Sequence, residues 1–173
     1  MTASTQNPIS NKIDFALIIG VNNANPNGDP LNGNRPRTDF AGNGEITDVC
    51  LKRKIRDRLQ ESDENIFVQS DEKKTDGMTS LKNRAYDEEV GLGKNAFEAN
   101  KKENIEAKRD ETAQKACDKW FDVRAFGQVF AFKADAKNAD GVSIPIRGPV
   151  TIQSAFSLQP VDITSTQITK SVS

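Results

Sequence analysis

Asn22-Asn23-Ala24-Asn25-Pro26-Asn27-Gly28-Asp29-Pro30, with Asn34-Arg35-Pro36-Arg37 close behind, follows the apolar run Ile13-Asp14-Phe15-Ala16-Leu17-Ile18-Ile19-Gly20-Val21. A basic segment from Thr47 to Gln60 comes next. The run from Ile13 to Val21 places large apolar residues at the odd positions and Ala16, Ile18 and Gly20 between them, which predicts a central strand covered on both faces. The connection from Asn22 to Glu45 carries Gly28, Gly33, Gly42 and Gly44 with Pro26, Pro30 and Pro36, which predicts little regular structure. It exceeds ordinary connection lengths and points to a functional loop. Its amides and guanidinium groups suit a ribose-phosphate chain.

Thr47 is the expected N-cap of a helix, with Asp48 favourable at the positive end of the dipole. Leu51, Ile55 and Leu59 recur at helical spacing as the buried stripe. Lys52, Arg53 and Arg56 flank that stripe on one side, Lys54 and Arg58 on the other. Asn65 to Gln69 predicts a short strand. Ser70 to Gly93 is polar, with a short helix expected near Leu81 to Glu89. Asn100 to Lys119 predicts an amphipathic helix with Ile105, Thr112, Ala113, Ala116 and Trp120 on its apolar stripe. The segment from about 70 to 119 reads as an insertion on a smaller core, its mixed charges forming a solvated face. Trp120 to Phe132 is aromatic-rich; it is expected to end a helix, turn at Gly127 and supply core. Lys133 to Gly141 predicts a polar turn. Val150, Ile152, Phe156 and Leu158 alternate with Thr151, Gln153, Ala155 and Ser157, which predicts a half-buried antiparallel strand. The expected class is α+β, a ferredoxin-like or RNA-recognition-type antiparallel sheet with helices on one face, residues 13–173 forming a single domain after a polar tail at 1–12.

At 173 residues one domain with a real core is expected. Mean hydropathy is −0.64, and no apolar run approaches the roughly 20 residues that span a bilayer. The first residues lack the charged start, apolar middle and small-residue site of a signal peptide, so the expected location is the cytoplasm. There is no histidine, which removes His-based acid–base catalysis and His/Cys zinc sites. Cys50 and Cys117 read as small buried thiols. The net charge of −1, from 24 basic and 25 acidic side chains, requires any nucleic-acid site to be a local patch.

Asn23, Asn25, Asn27 and Gly28 have the spacing of a calcium loop, but the closing position falls on Asn34 rather than a bidentate glutamate, and Asp29 is the only carboxylate in that stretch. The loop also lacks the Gly-Lys-Ser/Thr ending of a phosphate-binding loop. A structural cluster of Asx turns is the rival reading. Arg35 and Arg37, held by Pro36, together with Lys52, Arg53, Arg56 and the positive N-terminus of their helix, make a strip suited to a nucleic-acid backbone. The rival reading is a set of solvated cations. Phe15, Phe126, Phe130, Phe132 and Phe156 read as core; Phe40 and Tyr86 are the rings expected at the surface, so base stacking is sparsely supplied. Asp29, Asp39 and Asp48 lie near the basic strip, where capping and turn roles compete with any catalytic one.

Together these segments resemble the Cas-seven-type backbone subunit of the type I-C CRISPR effector complex, Cascade. The resemblance rests on Phe15 to Val21, Asn25-Pro26-Asn27-Gly28-Asp29-Pro30, Asn34-Arg35-Pro36-Arg37, Thr47-Asp48-Val49-Cys50-Leu51-Lys52-Arg53-Lys54-Ile55-Arg56, Asp122-Val123-Arg124-Ala125-Phe126-Gly127, Arg147-Gly148-Pro149-Val150 and Gln167-Ile168-Thr169-Lys170, in that order. It implies an RNA-recognition-type palm in a protein that stacks with copies of itself along a guide RNA (crRNA). The displayed guide then pairs with target DNA in antiviral defence, alongside other Cascade subunits. The resemblance maps Asn25, Asn27, Arg35, Arg37, Lys52, Arg53 and Arg56 onto the guide-facing part of the palm, and Arg124 and Arg147 onto shared motifs that either touch RNA or brace the loop. It implies no catalysis, metal, cofactor or membrane partner. Type III relatives that cleave RNA through a loop aspartate, and a basic patch binding an acidic protein, are the alternatives. Family members are longer. This chain stops after Thr169-Lys170, where the thumb is expected to begin, so the last helix and strand of the palm are expected to be absent and a sheet edge left open.

Overall fold

The computed structural model describes residues 9–100, 104–132, 139–167 and 169. A hairpin of β1 (Gly28–Asp29) and β2 (Arg35–Pro36) leads to β3 (Asn43–Ile46) and α1 (Asp48–Glu61). The short helices α2 (Leu81–Tyr86) and α3 (Lys94–Phe97) precede β4 (Glu98–Asn100). Then come α4 (Ile105–Lys119), α5 (Phe121–Phe126), β5 (Gly127–Ala131), β6 (Ala139–Gly141), β7 (Ser143–Arg147) and β8 (Ala155–Pro160). All pairings are antiparallel: β1 with β2, β3 with β8, β4 with β6 and β5 with β7. The chain is therefore a mixture of helices and antiparallel sheet, as the α+β reading expects. Among the described residues the strands form separate two-stranded ladders.

The helices begin where the sequence supplies caps. Thr47 Oγ1 accepts the Cys50 amide at 3.3 Å, and Asn104 Oδ1 accepts the Glu106 and Ala107 amides at 3.0 and 3.3 Å. Each satisfies amides that have no intrahelical partner. Leu51 of the expected stripe on α1 is buried, and Ile55 and Leu59 are half-buried. On α4, Thr112 and Ala116 are buried, and the Thr112 hydroxyl donates to the Ala96 carbonyl at 2.8 Å.

The main core gathers Phe67, Ala85, Phe97, Ala99, Ala116, Trp120, Val123, Phe130, Val142 and Ile144. Phe67 lies between Trp120 and Phe130, at centroid distances of 4.7 and 5.0 Å, and Phe97 approaches Phe130 at 5.2 Å. Tilted and edge-on pairs of this kind add to simple area burial. The segment from 70 to 119 contributes Ala85, Phe97, Ala99 and Ala116 to this core, so it carries packing as well as a solvated face.

Several expectations are corrected. Ile13 to Val21 takes neither helix nor strand, and Ile13, Phe15, Leu17 and Ile18 are exposed. An apolar pattern records what a segment is able to bury; a strand also needs a partner, and this segment pairs with none of the described strands. The face of β8 is inverted: Phe156 and Leu158 are exposed while Ala155 and Ser157 are half-buried. The cause is a contact far apart in sequence: the Gly44 amide on β3 donates to Ser157 Oγ at 2.9 Å, so the hydroxyl side faces the partner strand. Asn65 to Gln69 is irregular. The Phe67 and Val68 amides donate to the Asp122 carboxylate at 2.7 and 3.1 Å, so a side chain takes amides that a strand neighbour would otherwise use. Tyr86 stacks on Phe97 at 5.8 Å and is half-buried rather than displayed. Both cysteines are half-buried free thiols. Burial, with a smaller contribution from Asp118, pushes the Cys117 thiol up. Of the expected turn from Lys133 to Gly141, residues 139–141 form β6 and 133–138 lie outside the described residues.

Asp76 and Arg84 form a buried pair, with Arg84 Nη2 donating to Asp76 Oδ1 at 2.9 Å and Nη1 to the Phe67 carbonyl at 2.9 Å. The Arg84 bonds, helped by the Met78 amide and opposed by burial, hold the Asp76 carboxyl below its ordinary value of 3.8. A depressed folded-state value means the stabilisation is complete above the unfolded value and is lost as pH falls through the lower folded one. Acid titration followed by tryptophan fluorescence is expected to show loss of the fold beginning below about pH 4, with Asp76→Asn flattening that dependence.

Candidate nucleic-acid interface

The asparagine-rich loop is a folded scaffold. Asn34, at a positive φ of 58°, donates its amide to the Asp29 carbonyl at 2.8 Å and closes the first hairpin. A Cβ at Gly28 would lie 1.9 Å from Asn34 Oδ1, so only glycine lets the Asn34 side chain tuck in. Asn25 Nδ2 donates to the Asn34 carbonyl at 2.7 Å. The ladder then continues: Arg37 N donates to Asn27 O at 3.0 Å, Glu45 N to Arg37 O at 2.9 Å, and Thr38 bridges Gly44. Segments 27–29, 35–38, 43–46 and 155–160 are thereby linked edge to edge. The expectation of an irregular loop gives way to two hairpins in succession.

This scaffold is fastened to the start of α1. Asn27 Oδ1 accepts both the amide and the hydroxyl of Thr47, each at 2.9 Å. Cys50 Sγ donates to the Pro26 carbonyl at 3.4 Å, and the Asp48 amide donates to Ser154 Oγ at 3.2 Å. The amides expected to attract a phosphate at this helix start are largely engaged within the chain. Asn27 acts here as a brace, the Asx-type role weighed against RNA contact.

Burial and partners sort the cations. Arg56 is bound to Asp122, Nε to Oδ2 at 2.9 Å, with side-chain exposures of 15% and 1%. Its guanidinium also lies 5.2 Å from the Phe126 ring centroid. Arg37 sits between Asp29 at 3.7 Å and Glu45 at 3.5 Å. Lys52 meets Asp48 one helical turn earlier at 3.1 Å. Arg53 meets Glu72 at 2.8 Å, but both are largely in water, at 55% and 82% exposure. An exposed pair of that kind contributes about 0–1 kcal/mol and exchanges readily for a phosphate. Arg124 donates to the Cys117 carbonyl at 2.7 Å and lies over the Phe121 ring, which caps α4. Arg35 and Arg147 are exposed and have no hydrogen-bonding or ionic partner among the described residues.

Arg147 owes its place to an interlock of two glycines. Gly127 has φ +79°, and a Cβ there would lie 2.4 Å from the Ile146 carbonyl oxygen. A Cβ at Gly148 would lie 2.2 Å from the Ala125 carbonyl oxygen. Gly127 pairs directly with Arg147 on β7, and the Val150 amide donates to Ala125 O at 2.9 Å. The segments Asp122 to Gly127 and Arg147 to Val150 thus form one close-approach unit, with Phe126 beneath Arg56 of α1. Gly148→Ala is expected to cost about 1–3 kcal/mol by forcing the backbone apart, measurable as a lower urea midpoint.

Three groups emerge. Asn25, Asn27, Arg35 and Arg37 share the hairpin; Lys52, Arg53 and Arg56 lie along α1; Arg147 joins α1 through the Phe126–Gly127 turn. Arg124 turns to α4 instead. The buried Asp122 clamp was missed by sequence reasoning; the signal available was an acidic residue in an otherwise apolar aromatic run.

The described residues thus form an α+β chain that holds an amide-rich hairpin, with Arg35 and Arg37, against a helix that carries Lys52, Arg53 and Arg56. The chain is a member of the CRISPR-associated protein Cas7 family, whose model matches residues 11–173. It is 32% identical over 162 residues to the CRISPR-associated protein Cas7 of Haloferax volcanii. That alignment covers 88% of this chain and 44% of the relative, so the chain spans less than half the relative's length.

Proposed function

We propose that this chain is the guide-binding palm portion of a Cascade backbone subunit of subtype I-C, an RNA-recognition-type unit that grips crRNA by its backbone and does no chemistry on it. Its partners on this reading are crRNA, copies of itself, other Cascade subunits and, through the guide, target DNA, in the cytoplasm of a prokaryote. The observation that carries the reading is the hydrogen-bonded hairpin that displays Arg35 without a carboxylate partner among the described residues, fastened to the helix that carries Lys52 and Arg53. Unpaired guanidiniums on a preorganised scaffold are what phosphate binding requires, and contacts of this kind position a strand without reading its sequence.

The loop aspartates favour the non-catalytic reading. Asp29 accepts the Leu31 amide at 3.1 Å and faces Arg37, and Asp39 accepts the Ala41 and Asn43 amides, each at 2.9 Å. Both side chains are engaged in making turns. Among the described residues no helix is long and apolar enough to cross a membrane.

Expression with a cognate CRISPR array, purification in moderate salt and extraction of the bound nucleic acid test the reading. RNA of one discrete guide length is expected. A folded chain that retains none, also when expressed with the remaining length of a family member, overturns it.

A further inference from the structure

Phe40 is the most exposed large apolar side chain of the described residues, at 113% of its reference area. It makes none of the ring contacts found among the other aromatics. Its backbone, by contrast, is fixed. Thr38 bridges Gly44, Asp39 N donates to Asn43 O at 2.9 Å, and Gly42 N donates to Asp39 O at 3.1 Å. The Asp39 carboxylate accepts the amides of Ala41 and Asn43 on Oδ1 and the Asn43 side-chain amide on Oδ2 at 3.0 Å. Gly42 O accepts the Val161 amide at 3.0 Å, which ties the turn to the chain beyond β8. The turn therefore holds an apolar ring in water at a defined place, with no benefit to the fold. The ordering entropy that a flexible loop would lose on binding is already spent.

We propose that Phe40 is a stacking platform for an unpaired base of single-stranded RNA, so that the hairpin pair offers a guanidinium for phosphate and a ring for a base. This rests on the RNA-binding reading above. The surroundings favour a base over a protein surface. The ring itself, at 113% exposure, stands clear of the apolar Pro160 and Val161 that abut Gly42 and Gly44, and its neighbours in the turn include Thr38, Asp39 and Asn43, whose polar groups hold the turn. A base needs one ring face and tolerates polar edges, and stacking of this kind is indifferent to sequence. Arg35 lies on β2, which leads into the turn, and has no partner among the described residues, so it is available to a flanking phosphate.

The test compares the full chain with Phe40→Ala and Phe40→Trp, binding a fluorescein-labelled single-stranded RNA of mixed sequence across a salt series. Because the ring touches nothing, thermal stability is expected to be unchanged in both. Phe40→Ala is expected to weaken RNA binding about 10-fold, and Phe40→Trp to restore or exceed the original affinity. The salt slope distinguishes the cause: loss of a stacked base shifts every point equally, whereas loss of a phosphate contact reduces the slope by about 0.7. If the unaltered chain binds RNA and Phe40→Ala binds it equally well, the stacking assignment fails and the RNA-binding reading stands. If Phe40→Ala leaves RNA affinity intact but lowers the sedimentation coefficient, the ring packs against a second copy and the assignment is overturned. If neither the unaltered chain nor the chain extended by the remaining length of a family member binds RNA, both readings fail together.

Discussion

Asp122→Ala is expected to destabilise the chain by about 3–5 kcal/mol, a large part of the roughly 5–15 kcal/mol margin of an ordinary domain. The carboxylate is almost fully buried and serves three donors: the Phe67 and Val68 amides and Arg56 Nε. Removing it leaves a buried amide, a half-buried amide and a largely buried guanidinium without an acceptor, and the cost of such orphaned groups exceeds the modest net value of the bonds themselves. Phe67 is a central core ring, so the clamp also sets where the irregular segment after α1 enters the core. Arg56→Met is expected to cost less, because Asp122 keeps both amides and the methionine stem still packs on Phe126. Urea unfolding followed by Trp120 fluorescence measures both. RNA affinity per folded molecule is expected to be the same in Arg56→Met as in the unaltered chain. A variant of full stability with lost RNA binding would return Arg56 to the guide-facing set.

Arg56 illustrates what a sequence can and cannot convey. Helical spacing put Lys52, Arg53 and Arg56 on one flank of a buried stripe, and α1 forms with its Thr47 cap and Leu51 inside. Spacing within a helix does not report what lies opposite it. The partner of Arg56 is 66 residues away, whereas that of Arg53 is a glutamate in water. The same residue type therefore takes opposite roles three positions apart. The aromatic segment from Trp120 to Phe132 was legible because turn and period changed together at Gly127. Ile13 to Val21 and β8 were misread for a common reason: an apolar alternation names a face, and the neighbour that covers the face is non-local. The loop was legible in composition and not in shape, since its order comes from Asn27 reaching Thr47 and Gly42 reaching Val161. At the family level the motifs sufficed, because each joins residues whose backbone geometry is demanding: Gly28 beneath Asn34, and Gly127 against Gly148.

Reversing Arg35, Arg53 and Arg147 together, as Arg35→Glu with Arg53→Glu and Arg147→Glu, is expected to weaken RNA binding about 100- to 1,000-fold at moderate salt. It should reduce the salt slope by about 2, since each single-strand phosphate contact contributes about 0.7. These positions are chosen by what holds them. Arg35 and Arg147 have no described partner, and the Arg53–Glu72 pair is open to water, so each surface change should stay within about 0.5 kcal/mol of neutral. Lys52 is left in place, because reversing it would set like charges across one helical turn from Asp48 and confuse stability with binding. Filter binding over a salt series, with circular dichroism and thermal melts on the same samples, separates the two effects. A folded triple variant that keeps both its affinity and its slope would remove the hairpin and α1 from the interface. A loss confined to the Arg147 single variant would move the interface to the β7 edge, where the glycine interlock, and not the asparagine-rich hairpin, would then be the element that places the phosphate contact.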